Sequence, residues 1–132
     1  NMQERLLFEY AVVRVVPHVE REEFLNVGVV LLCSGQKFLR ARFDWNESRL
    51  LGFCQKTDFS ELKGYVDSFE KICKGGKDAG PIGQLGITER FRWLTAARST
   101  VLQTSKVHPG LCVDAEATLG RLFEELVKLP EA

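Results

Sequence analysis

The first 44 residues read as strands rather than helices: apolar side chains occupy both faces of the first two segments and alternate with polar ones at a period of two in the third. Leu6 to Val16 places Phe8, Tyr10 and Val12 on one face and Ala11, Val13 and Val15 on the other. Pro17 closes this strand, because proline cannot donate to the ladder. After a polar connection, residues 23 to 33 run almost continuously apolar, entered through Arg21, Glu22 and Glu23. Such a run belongs at the centre of a sheet, with at least its second half covered on both faces. Asn26 and Gly28 interrupt it where a sheet tolerates neither well, so something local requires them. Ser34-Gly35 turns the chain into a third strand, Lys37 to Asp44. There Leu39, Ala41 and Phe43 point one way, and Phe38, Arg40, Arg42 and Asp44 the other. The first 44 residues are therefore expected to form a three-stranded antiparallel meander with the second strand in the middle.

The period then changes to three and four. Asp58 and Glu61 form a capping box, and Phe59, Leu62, Val66, Phe69 and Cys73 line one face of a helix over 58–74. Glu47 to Phe53 predicts a short helical turn before it. Residues 75–87 form a glycine-rich loop without periodicity, and a second helix runs from Thr88 to about Ala97. Arg98 to Ser105 reads as a fourth strand. Beyond Pro109-Gly110, Asp114 caps a last helix striped by Leu119, Leu122, Phe123, Leu126 and Val127. The expected fold is a single α+β domain over 1–132. An antiparallel sheet of about four strands carries two to three helices, packed on one face.

Composition adds mainly exclusions. With 18 basic and 18 acidic residues the net charge is zero, which disfavours a general polyanion binder. Leu6 to Val16 carries Glu9 and Arg14 and lacks a small-residue cleavage site, so it reads as neither a signal peptide nor a membrane span. Asn1 precedes Met2, which marks Met2 as the expected natural start. Cys33, Cys54, Cys73 and Cys112 form no Cys-x-x-Cys pair and read as reduced, mostly buried thiols of a cytoplasmic protein.

The best candidate for ligand chemistry is the segment from Thr88 to Thr100, where Arg90, Arg92 and Arg98 surround Trp93, with Ser99 beside them. Arginine forks and helix N-termini favour anions, and a tryptophan can stack a base. The plainer reading packs Phe91, Trp93 and Leu94 on the sheet and pairs the arginines with Glu89, Asp44 or Asp67. The glycine loop lacks P-loop spacing. Arg14 stands inside an apolar strand, with Glu23 its natural partner on the neighbouring one. Glu22 and Glu23 point to opposite faces, a poor arrangement for acid–base work. Gly28 suits a bulge or the close approach of another backbone or a ligand, or else a bulky aromatic packed across the strand, with Asn26 on the same face bonding loop backbone. His108 and Cys112 supply too few donors for a structural zinc site, and neither Ser99 nor Ser105 sits in a nucleophile elbow. No catalytic residue, metal or cofactor is expected.

Three groups of residues carry a resemblance. Tyr10 to Arg14, Pro17, Glu22 to Phe24 and Asn26 to Leu31 resemble the opening of the bacterial domain-of-unknown-function family numbered 3037. Gly80 to Gly83, Glu89 to Thr95 and Arg98 to Val101 resemble its second signature; His108 to Gly110 and the closing helix fit as well. Ala97 stands where the family often has proline. The resemblance covers nearly the whole chain. It implies a small bacterial protein without established activity, encoded beside a kinase-like protein resembling the HipA toxins.

Two functions are compatible with these residues. One is a non-catalytic interaction or accessory domain that binds a protein partner, either the HipA-like kinase-type protein or a second copy of the chain. The other is a phosphate-, nucleotide- or nucleic-acid-binding domain built on Arg90, Arg92, Trp93 and Arg98. The absence of a catalytic constellation and the balanced charge favour the first.

Overall fold

A computed structural model describes residues 4–16, 24–53, 59–97 and 100–128, with residues 51–53 described by their backbone alone. Five strands run in antiparallel order, β1 (Leu6–Val15), β2 (Leu25–Cys33), β3 (Phe38–Phe43), β4 (Leu102–Thr104) and β5 (His108–Cys112). The sheet order is β3-β2-β1-β4, with β5 also on β1. The expected meander is therefore present with β2 in its middle, and the α+β class holds with one strand more than expected.

The extra strand is β5, which the Pro109-Gly110 pair hid by reading as a turn. Among the described residues β5 pairs with β1 alone. An edge strand tolerates proline, because its outward N–H position needs no ladder partner. β4 and β5 pair with successive stretches of β1, Val13–Val15 and Leu6–Tyr10. Between them Ser105 bridges the gap. Its amide donates to Val12 O at 2.8 Å, and its Oγ accepts from the Val12 amide at 2.9 Å. A side-chain oxygen thus replaces the ladder acceptor that the interruption removes.

Helices cover both faces, not one. α2 (Phe59–Lys74) and α4 (Ile87–Leu94) bury Leu62, Val66, Phe69, Phe91 and Leu94 against Ala11, Val13, Val15, Val30 and Leu32. α5 (Ala115–Leu126) buries Leu119, Leu122 and Phe123 against Phe8, Val29, Leu31 and Cys33 on the opposite face. The one-face expectation fails because β2 is apolar on both sides and each side needs its own cover. α1 (Glu47–Phe53) starts at Asn46, whose Oδ1 accepts from the Arg49 amide, and adds Leu50 to the first core. α3 (Gly80–Gly83) is a single turn inside the stretch expected to be loop.

Four side chains fasten α5. The expected Asp114 cap forms, accepting from the Glu116 and Ala117 amides. Gln36, in the tight 3-10 turn Ser34–Gln36, accepts from the Ala115 amide and donates to Val113 O. At the other end Asn26 Nδ2 and Arg49 Nη1 donate to Leu126 O and Val127 O, each at 3.1 Å. Carbonyls at a helix end lack intrahelical partners, and these donors supply them.

β2 carries a bulge opposite Val13 and Arg14: Gly28 pairs with Val13, Asn26 with Arg14, and Val27 is the extra residue. Asn26 and Gly28 therefore do not share a face, contrary to the simple alternation. Gly28 lies beneath its cross-strand partner Phe43, as the bulky-aromatic reading supposed. A Cβ there would sit 2.6 Å from the Phe43 ring and 2.9 Å from the Arg42 carbonyl. Phe43 in turn meets Phe69 edge-on at 5.6 Å, tying β3 to α2.

Gly28→Ala is expected to destabilise the fold by about 1–3 kcal/mol in urea unfolding, because backbone as well as ring must move. Gly64→Ala, in α2 with open space around the position, is expected to stabilise by about 0.5–1 kcal/mol. Equal effects from the two substitutions would contradict the packing described.

Candidate functional site

α4 displays the arginine–tryptophan segment, and its side chains diverge. Arg90 turns inward and is only 8% exposed. Its Nη1 donates to Ile72 O at 2.7 Å and Cys73 O at 2.8 Å, and its Nε donates to Leu85 O at 3.0 Å. The guanidinium closes the C-terminal end of α2, where free carbonyls and the helix dipole both attract a cation. Gly75 makes room for it. With φ at 78° the residue is left-handed, and a Cβ would lie 2.5 Å from Arg90 Nη1. The glycine-rich loop thus wraps a guanidinium of the chain itself.

Arg92 points elsewhere. Both its terminal nitrogens donate to the Glu9 carboxylate at 2.7 Å, a bidentate pair reaching across to β1. The hydrogen bonds to Glu9 raise the Arg92 pKa, so the residue stays charged and matched. The partner is Glu9 rather than Glu89, Asp44 or Asp67. Arg98 and Ser99 lie outside the described residues, as do Glu22, Glu23, His18, Cys54 and Asp58. Arg14 stacks its guanidinium 3.9 Å over the Phe24 ring, and burial lowers its pKa. Its Nε and the Oδ1 of its cross-strand partner Asn26 are buried without hydrogen bonds among the described residues.

Trp93 is 38% exposed and borders an apolar cavity of about 230 Å³ between α2, α4 and β4. Tyr65 of α2, 40% exposed, borders it too, while Phe69, Leu94 and Leu102 give it apolar walls. Among the described residues its polar lining is neutral: Ser68, Thr100, Gln103 and Thr104. The Tyr65 hydroxyl donates to Glu61 at 3.2 Å, which raises the phenol pKa. A second depression, of about 610 Å³, opens at the other end of α4 between β3 and α2, and Arg90 lies in its wall. So α4 contributes Arg90 to one cavity and Trp93 to another. Arg92 lines neither.

Sequence reasoning singled out Trp93 but missed Tyr65, Gln103 and Thr104. Tyr65 sits three residues after Leu62 and four before Phe69, at the border of the α2 stripe, and that spacing was the available signal. The β4 residues gave none. Elsewhere Leu7 and Leu111 face each other across β1 and β5 and stay 60% and 62% exposed. Among the described residues no helix is long and apolar enough to cross a membrane, and no three metal-ligating side chains cluster.

A family model described as protein of unknown function, DUF3037, matches residues 10–127. No curated protein and no solved structure matches the chain.

Replacing Arg90 by Met leaves three carbonyls without their donor and is expected to cost about 1–3 kcal/mol or more in urea unfolding. Arg92→Ala is expected to cost about 0–1 kcal/mol, since that pair is open to solvent. A near-neutral Arg90→Met would contradict the structural role. Burial pushes the neighbouring Cys73 thiol up to about 12 from an ordinary 9.0, against the lowering effect of Arg90. A thiol raised in the folded state supports the fold fully below its unfolded pKa and loses that support as pH rises through it. Stability is therefore expected to fall from about pH 9 towards 12, with a shallower fall in Cys73→Ala; parallel pH profiles would contradict this.

Proposed function

The chain belongs to this family of unknown function, and we propose that it is a non-catalytic interaction domain that docks a protein partner. The observation that carries the reading is the cavity between α2, α4 and β4. It is apolar, carries no charged side chain in its lining among the described residues, and is flanked by the half-open aromatic rings of Tyr65 and Trp93. Such a depression suits an apolar side chain presented by another protein, because aromatic anchors that become fully desolvated on association dominate interface energetics. It suits a phosphate poorly, since none of the described residues in its lining neutralises one.

The opposing reading, a phosphate or nucleotide held by the arginines, loses support from the same geometry. Arg90 gives its donors to α2 and its following loop, and Arg92 gives both its terminal nitrogens to Glu9. Arg98 is the member of the trio left to that reading.

The partner of first choice is the kinase-type, HipA-like protein that the family resemblance associates with such chains, in a bacterial cytoplasm; a second copy of the chain is the other. Co-expression with that kinase-type protein provides the test. Trp93→Ala and Tyr65→Ala are expected to lower recovery of the complex about tenfold or more, which corresponds to the loss of one hot-spot anchor. Their melting temperatures should stay near that of the unmodified chain, because both rings are partly exposed. Undiminished recovery by both variants would contradict the reading.

A further inference from the structure

The depression at the opposite end of α4 has a different chemistry. Leu39, Ala41, Cys73 and Ile87 give it an apolar lining. Above that lining stand Lys37, Lys71 and Lys74, all exposed, with Glu70 the one acid among the lining residues. None of the three lysines has an ion-pair partner among the described residues. Arg40 and Arg90 also border it, but Glu116 holds the first at 3.1 Å and carbonyls hold the second. The groove therefore has a positive excess that no described residue neutralises.

Two further features give it direction. β3 pairs with β2 alone among the described residues, so one side of its backbone ladder is unmatched. An extended segment can add there as a strand. Lys37 itself enters β3 in the left-handed conformation, φ 52° and ψ 43°, and is the one non-glycine residue with positive φ among those described. Glycine or asparagine adopts that geometry with less strain, yet the chain carries a lysine whose side chain lines the groove. Strain kept at a charged, exposed position fits a residue retained for what it binds.

We infer that the groove between β3 and α2 receives an extended acidic segment of a protein partner. The segment pairs its backbone with β3, sets carboxylates against Lys37, Lys71 and Lys74, and seats small apolar residues on Leu39 and Ala41. Nucleic acid fits less well. Among the described residues no aromatic side chain in the lining offers a stacking surface, and the chain's zero net charge gives no long-range attraction for a polyanion. The inference rests on the interaction-domain reading and adds a second contact about one helix length from the Trp93 cavity.

The probe is a peptide of about eight residues alternating Glu and Val, added to isotopically labelled protein and followed by NMR. The expected result is movement of the β3 amides and of Lys71 and Lys74, weakening as salt rises. The same peptide with Gln for Glu should leave them unmoved. Lys37→Gly should weaken binding about two- to fivefold while its melting temperature holds or rises, and adding Lys71→Ala and Lys74→Ala should abolish it. Three results would each overturn the inference: no peptide-induced shift in β3, unchanged affinity in the triple variant, or stronger binding of a short oligothymidylate through the same lysines. If Trp93→Ala disrupts the co-expressed complex and the triple lysine variant does not, the groove inference fails alone. If the unmodified chain captures no protein partner, the interaction reading itself fails.

Discussion

Everything in this fold is arranged around β1, whose Ala11, Val13 and Val15 are essentially inaccessible to solvent. It pairs with β2 along one edge and with β4 and β5 along the other. A strand in that position needs every backbone group paired and both faces covered, since an unpaired buried amide costs as much as a lost hydrogen bond. Those two demands account for much of the remaining architecture. Two helices close one face and α5 the other. Ser105 supplies an acceptor where the outer pairing breaks.

The second organising element is Arg90. A buried cation is costly unless its hydrogen bonds are made, and here each donor that reaches a carbonyl also closes an open helix end or loop. Gly75 and the loop around it provide the room. Seen along the chain, a glycine-rich loop leading into an arginine-bearing helix looks like an anion site. In three dimensions the attraction is spent on the carbonyls of α2. The surfaces we propose for recognition lie to either side, an aromatic-flanked cavity without charge among its described lining residues at one end of α4 and a lysine-rimmed groove at the other.

How much of this could be read in the chain depends on the range of the interaction. The meander, α2, and α5 with its Asp114 cap were legible because each is set by local periodicity or by a side chain bonding its own neighbours. β5 was not, because tolerance of Pro109 depends on being at an edge, which is a property of the whole sheet. A bulge was among the readings that Gly28 offered, but the face reversal between Asn26 and Gly28 was not legible, because a one-residue bulge flips alternation without altering composition. Trp93 stands out along the chain beside the arginines, whereas Tyr65 arrives from a different helix and reaches the same cavity only through packing. Lys37, Lys71 and Lys74 read as ordinary surface charge until the hairpin and α2 bring them together.

The central claim is that the α4 arginines serve the fold while the surfaces flanking them bind protein. Native mass spectrometry of the tagged chain, captured gently from its own host, tests it most directly. The expected spectrum is a stoichiometric complex with another protein, or with a second copy of the chain, free of nucleotide and nucleic acid. A monomer carrying nucleotide or nucleic acid would contradict the account and return function to the arginines.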